Sequence, residues 1–177
     1  ERARELLVKV QKMPGLQPQQ KQQLYVNYAT SRYKMGEIEQ AVALLERQHA
    51  HAPCGLIYET LGFLYVEAGD AEKAKAYNLA GLEYDEDDPI VLDNLGQTYY
   101  RLLSDTETAR KYFNQALERK PGQIDTLYFM AEIDEKEGRP DKARERLEKA
   151  LEGRFSPLNY ATRERVQARL DALTAGK

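Results

Sequence analysis

This 177-residue chain has one cysteine, Cys54, no tryptophan and no excess of basic charge. A lone cysteine excludes an internal disulfide and a cysteine-built zinc site, and it suits a reducing, cytoplasmic compartment. Twenty-six Lys and Arg stand against 29 Asp and Glu, a formal charge of −3. The positive field that phosphate backbones require is therefore missing, and nucleic acid is not expected as a partner. No run of about 18 apolar residues is present, so direct membrane insertion by this segment is not expected either. The first residues lack the charged-then-apolar order of an export signal. They read instead as the middle of a helix, and Glu1 is not a methionine, so a piece of a longer protein, or a processed one, is expected, from which an export signal or membrane anchor could have been removed.

Motifs of catalysis are also missing. There is no Gly-rich phosphate loop, no nucleophile elbow, no HExxH and no Cys–His pairing, so neither an enzyme nor a bound cofactor is expected. His49, His51 and Cys54 are the residues nearest to a metal motif, but His-x-His on a helix aims its rings about 200° apart, and no further ligands converge. The acidic run Asp85, Glu86, Asp87 and Asp88 lacks the glycine and closing glutamate of a calcium loop. Asp88 has a sufficient role as an N-cap before Pro89. From Lys136 to Arg169 the basic residues are interleaved with Glu137, Asp141, Glu145, Glu148, Glu152 and Glu164, so their field largely cancels.

What is present is a core's worth of apolar residues, 42%, on a chain otherwise strongly polar. Those residues repeat. Small side chains fall at Ala29, Gly62, Gly96 and Ala131, and again at Ala41, Ala74, Ala109 and Ala143, in steps of 33 to 35 residues. Around the first series the pattern is helical: Tyr58, Leu61, Gly62 and Tyr65, then Leu92, Leu95, Gly96 and Tyr99, lie on one stripe where a second helix can approach closely. The partner stripes are Ala74, Tyr77 and Gly81, then Ala109, Phe113 and Ala116, then Ala143, Leu147 and Ala150. Gly36, Gly69 and Gly138 stand where helix C-termini want a positive φ. Asp88-Pro89 and Ser156-Pro157 read as helix starts, and Pro53 and Pro121 as helix ends.

These residues resemble the tetratricopeptide repeat. Tyr58-x2-Leu61-Gly62-x2-Tyr65 with Ala74 carries the likeness most strongly. Leu92-x2-Leu95-Gly96-x2-Tyr99 with Ala109-x3-Phe113 and Pro121 follows, with one extra residue in its hairpin turn at Leu103-Ser104-Asp105, where the glycine is missing. The outer units depart from the pattern: Arg32 and Gln48 replace apolar or small residues, and Asp134 stands where an aromatic is usual. Tyr25, Tyr28, Tyr58, Tyr65, Tyr77, Tyr99 and Tyr112 fall on motif positions, so most of the tyrosines are expected in the core. The resemblance implies an all-α, right-handed superhelical solenoid of antiparallel helix pairs. Four repeats are expected, over residues 22–54, 55–88, 89–123 and 124–156. Residues 1–14 form the second helix of a partial repeat or an N-terminal cap, and 157–174 a C-terminal capping helix.

The resemblance also implies where function lies: on the inner surface lined by the first helix of each unit. The positions that face it are Gln23, Val26, Thr30, Tyr33 and Lys34; Leu56, Glu59, Phe63, Val66 and Glu67; Ile90, Asp93, Gln97, Tyr100 and Arg101; and Asp125, Tyr128, Glu132, Glu135 and Lys136. The candidate partner-binding set is Val26, Thr30, Tyr33, Glu59, Phe63, Val66, Glu67, Asp93, Gln97, Tyr100, Arg101, Tyr128 and Glu132. The carboxylate clamp that relatives use on chaperone tails is absent, because its places hold Val26, Thr30, Thr60, Ile90 and Asn94. A surface of apolar and acidic side chains should instead prefer a protein or peptide segment carrying apolar anchors with Lys or Arg. Alternatives are a self-associating scaffold, or the interaction domain of a larger enzyme or membrane-anchored protein. Some inner-face apolar residues could simply be the rear of the core, with the terminal helix folded over them.

Overall fold

A computed structural model describes residues 15–175 of the chain. The expected helix over residues 1–14 lies outside the described residues. Within the described residues nine α-helices follow in order: α1 Pro18–Lys34, α2 Ile38–His51, α3 Gly55–Ala68, α4 Ala71–Tyr84, α5 Pro89–Gln97, α6 Thr106–Arg119, α7 Ile124–Lys136, α8 Pro140–Leu151 and α9 Arg163–Ala175. Among those residues there is no strand, and no helix is long and apolar enough to cross a membrane.

The helices pair as hairpins, α1 with α2, α3 with α4, α5 with α6 and α7 with α8, and each second helix meets the first helix of the next pair. Pairing is possible because the crossing points carry almost no side chain. Ala29, Ala131, Ala41, Ala74, Ala109 and Ala143 are completely buried, and a Cβ added at Gly96 would stand 2.4 Å from the Phe113 ring. Helix axes can then close to packing distance with apolar side chains interleaved. Local signals place the ends. Asp70, Asp88 and Asp105 accept from the backbone N–H of Lys73, Ile90 and Thr108 at 3.1, 2.8 and 2.9 Å, satisfying donors that the first helical turn leaves free.

The extra residue of the third hairpin is absorbed inside its first helix. After Gln97 the chain makes a π-helical turn over Thr98–Leu102, with the Leu103 N–H donating to the Thr98 carbonyl at 3.1 Å. A single inserted residue is accommodated by widening one turn rather than by shifting the helix face. Ser104 then takes the left-handed conformation, φ 57°, that glycine supplies in the other hairpins.

The departures at the outer units are compensated by charge. Asp134 is fully buried and accepts from Arg139 Nη2 at 2.5 Å and Arg146 Nε at 2.7 Å. Burial alone would raise its pKa, but the two guanidinium groups hold it below the usual carboxylate range. Arg32 lies over the Tyr28 ring and pairs with Glu37.

One expected boundary is corrected. The last helix begins at Arg163, not at Ser156-Pro157. Ser156 N–H donates to Asn159 Oδ1 at 2.7 Å, Asn159 N–H returns to the Ser156 carbonyl at 3.0 Å, and these bonds close a turn. Two N–H groups that a helix would have used go elsewhere, to Asp125, and Thr162 supplies the cap by accepting from the Arg165 N–H at 3.2 Å. Residues 152–162 are therefore a non-helical strap between α8 and α9.

Candidate functional site

First helices α1, α3, α5 and α7 touch one another in succession, whereas the second helices do not pack on each other to a comparable degree. The first helices thus line the inner side of the stack, and the side chains they present there come from positions one repeat apart. Such positions meet across the hairpin boundary. Tyr33 Oη donates to Glu67 Oε2 at 2.6 Å, and Arg101 Nη1 donates to Glu67 Oε1 at 2.6 Å, each pair 34 residues apart. Arg169 Nε reaches Glu135 Oε1 at 2.6 Å over the same interval. Farther in, Thr126 Oγ1 donates to Asp93 Oδ1 at 2.5 Å, Gln97 Nε2 to Asp93 Oδ2 at 2.8 Å, and Arg101 Nη1 to Gln97 Oε1 at 2.8 Å. The inner face is a hydrogen-bonded network that ties four hairpins together.

Among the expected partner-binding residues, Val26, Phe63, Val66, Asp93, Gln97 and Tyr128 are buried. Thr30, Tyr33, Glu59, Glu67, Tyr100, Arg101 and Glu132 are half-buried. Several are engaged within the chain: Phe63 meets Tyr33 edge-on at 5.5 Å, Tyr100 meets Phe129 at 5.7 Å and accepts from Lys136 Nζ, and Arg169 lies over Tyr128. Thr30 returns its hydroxyl to the Val26 carbonyl. His49 is packed between Tyr58 and Tyr77, and no group of metal-ligating side chains is present among the described residues.

The strap explains much of this burial. Tyr160 and Ala161 donate their N–H groups to Asp125 Oδ2 and Oδ1 at 3.0 and 2.9 Å, so a carboxylate on the inner side of α7 holds the strap against the stack. The Tyr160 ring lies 5.0 Å from Phe129, with the Arg101 guanidinium 4.0 Å from its centroid on the inner face and Arg165 at 4.4 Å. Leu158 reaches farther back and packs against the core of the first two hairpins.

A cavity of about 370 Å³ remains between the strap and helices α3, α5 and α7. Leu56, Phe63, Ile90, Ile124 and Leu158 are its apolar lining, and Glu59, Asp93, Asn94 and Asp125 are among its acceptors. Its carboxylates resist ionisation. Glu59 is pushed up to about 7, by burial first and then by the nearby charge of Asp88. Burial, followed by the proximity of Asp125, raises Asp93; burial also raises Asp125, against the two strap N–H groups that favour its charged form.

Sequence reasoning placed Leu56, Thr60, Ile90, Asn94 and Asp125 on this side, but it did not find the strap residues Leu158, Asn159 and Tyr160. One signal was available: Glu67 and Arg101 are opposite charges one repeat apart, and equivalent positions on neighbouring first helices are adjacent.

Residues 101–161 match the family model described as tetratricopeptide repeat. Among solved structures, the chain is similar to TTC0263, a thermophilic tetratricopeptide-repeat protein of Thermus thermophilus, with TM-score 0.74 and 18% identity over 97% of this chain and 88% of that one. It is similar to MamA, with TM-score 0.58 and 17% identity over 83% of this chain and 80% of that one. A tetratricopeptide repeat protein of Parabacteroides merdae gives TM-score 0.55 and 19% identity over 86% and 59% of the two chains. No curated protein matches the chain in sequence. The fold of the described residues is that of a tetratricopeptide-repeat solenoid. Solenoids of this class are in general protein-interaction scaffolds, built to present an extended surface.

Proposed function

We propose that the chain binds a segment of another polypeptide on its inner face, at the opening left between α3, α5, α7 and the strap. The observation that carries this reading is the cavity itself, which combines apolar walls with acceptors on the side of the stack where Tyr33, Glu67, Arg101 and Tyr100 continue the surface. A segment with apolar anchors and Lys or Arg is the complementary chemistry. The strap supports the reading in a second way, since a non-helical, aromatic-bearing piece of this chain packs on the same face through backbone N–H donors and ring contacts.

Phe63 and Tyr100 are poor choices for testing it, because both are packed against other rings. Ile90 is half-buried on the cavity wall, with its own N–H held by Asp88. Ile90→Lys should leave helicity unchanged by circular dichroism. It should also reduce capture of the partner identified by pull-down with the wild-type chain by about tenfold or more, through loss of an apolar anchor and repulsion of a cation. Unchanged capture would remove the cavity from the binding surface.

A further inference from the structure

We propose that the cavity between α3, α5, α7 and the strap is the seat of one arginine side chain presented by the partner segment. This rests on the interaction reading above and narrows it to a single residue type.

The chain seats its own arginines on this face in a constant way. Arg101 sits at 2.6 Å from Glu67 with its guanidinium 4.0 Å from the Tyr160 centroid, and Arg169 sits at 2.6 Å from Glu135 with its guanidinium over Tyr128. Each is a carboxylate from a neighbouring helix together with an aromatic face, the environment that guanidinium groups favour. The cavity provides the carboxylates without the cation: among the described residues, no Lys or Arg nitrogen lies within 4.0 Å of Glu59, Asp93 or Asp125. Lys120 and Arg154 also border the cavity, but both are exposed and neither forms an ion pair with these carboxylates.

A second observation points to a donor ligand. Asn94 lines the cavity and is 1% exposed; its Nδ2 donates to the Glu59 carbonyl at 2.9 Å, and its Oδ1 has no hydrogen-bond partner. A buried acceptor left unmade costs stability in the free protein, and an arriving N–H removes that cost. The acceptors are too dispersed for a metal ion, since no cluster of metal-ligating side chains is found among the described residues. A guanidinium carries five N–H donors spread over a plane, and its stem is apolar. Leu56, Phe63, Ile90 and Leu158 are placed to pack that stem, and about 370 Å³ is room enough for it.

Charge on Glu59 links the seat to pH. The groups around it are Asp88 and Asp85 from the α4–α5 turn, which oppose its ionisation, and Lys120 from the α6–α7 turn, which favours it. With Glu59 raised to about 7, a cation entering the cavity displaces a proton, so binding tightens as pH rises through neutrality.

The test is a titration of the intact protein with N-acetyl-arginine amide, followed by the NMR signals of the Asn94 side-chain amide and the Gly122 and Gln123 backbone. N-acetyl-citrulline amide, equal in shape and uncharged, is the control. Saturable shifts with arginine are expected, about tenfold or more weaker with citrulline. The arginine response should be lost in Glu59→Gln and should tighten severalfold from about pH 6 to about pH 8. Equal responses to the two probes, or no saturable response to arginine, would overturn the proposal; both are read on the wild-type chain and do not depend on the variant folding. A partner whose capture is lost in Ile90→Lys while the arginine titration stays flat would sink this inference and leave the interaction reading standing. A saturating titration with no partner captured would do the reverse.

Discussion

Gly96→Ala is expected to lower the stability of the chain by about 3 kcal/mol, a fall of roughly 6–12 °C in melting temperature for a chain of this size. The added methyl would lie 2.4 Å from Cδ1 and from Cε1 of Phe113. That ring cannot step aside, because Phe113 is completely buried and stacked at 6.0 Å on Phe129, which in turn meets Tyr100 and Tyr160. The strain is relieved only by separating α5 from α6, which loosens the centre of the stack. Gly62 makes an instructive contrast. A Cβ there would stand 2.0 Å from Asn78 Oδ1, an atom without a hydrogen-bond partner at the end of a buried side chain, so the clash is relieved by turning the amide at the cost of the Asn78 Nδ2 bond to the Ala74 carbonyl at 2.8 Å. Gly62→Ala should therefore cost less than Gly96→Ala, by thermal melting followed at 222 nm (the helical band) in both variants. Equal melting of Gly96→Ala and wild type would mean that the helix crossing is not where the glycine places it.

Tyr160→Ala is expected to remove about 2–3 kcal/mol and to release the strap. The half-buried ring touches Phe129 and Tyr128, receives Arg101 and Arg165 on its π system, and belongs to both hydrophobic clusters of the molecule. Without it, what ties the middle of the strap to α7 is the pair of N–H donors to Asp125. Those two hydrogen bonds form to a buried carboxylate that burial already disfavours in its charged form, so they hold weakly once water reaches them. Hydrogen exchange should show fast amides over residues 155–162, with protection of α3 and α4 retained. Retained protection of the strap would mean that Asp125 and Leu158 suffice to hold it.

The stacking of hairpins was legible because it depends on side-chain size at fixed intervals. Ala41, Ala74, Ala109 and Ala143 must be small for helices to cross, and a periodic demand leaves a periodic trace. The turn after Gln97 was legible as one surplus residue and a missing glycine, though not as a π-helical turn, since the same count fits a longer loop. The inner face was only partly legible. Helical offsets place Glu67 and Arg101 on that side, but whether they wait for a partner or pair with each other depends on the distance between α3 and α5, which no local pattern encodes. The strap was misread for a physical reason. Ser156-Pro157 has the composition of a helix start, and the local turn closed by Asn159 wins because Asp125, 35 residues earlier than Tyr160, offers its N–H a carboxylate.

The most direct measurement is hydrogen–deuterium exchange on the intact chain with and without its captured partner. Added protection is expected over residues 55–63, 88–94 and 120–125, the segments that border the cavity. Protection confined to the outward helices α2, α4, α6 and α8 would place the partner on the opposite side and contradict the account.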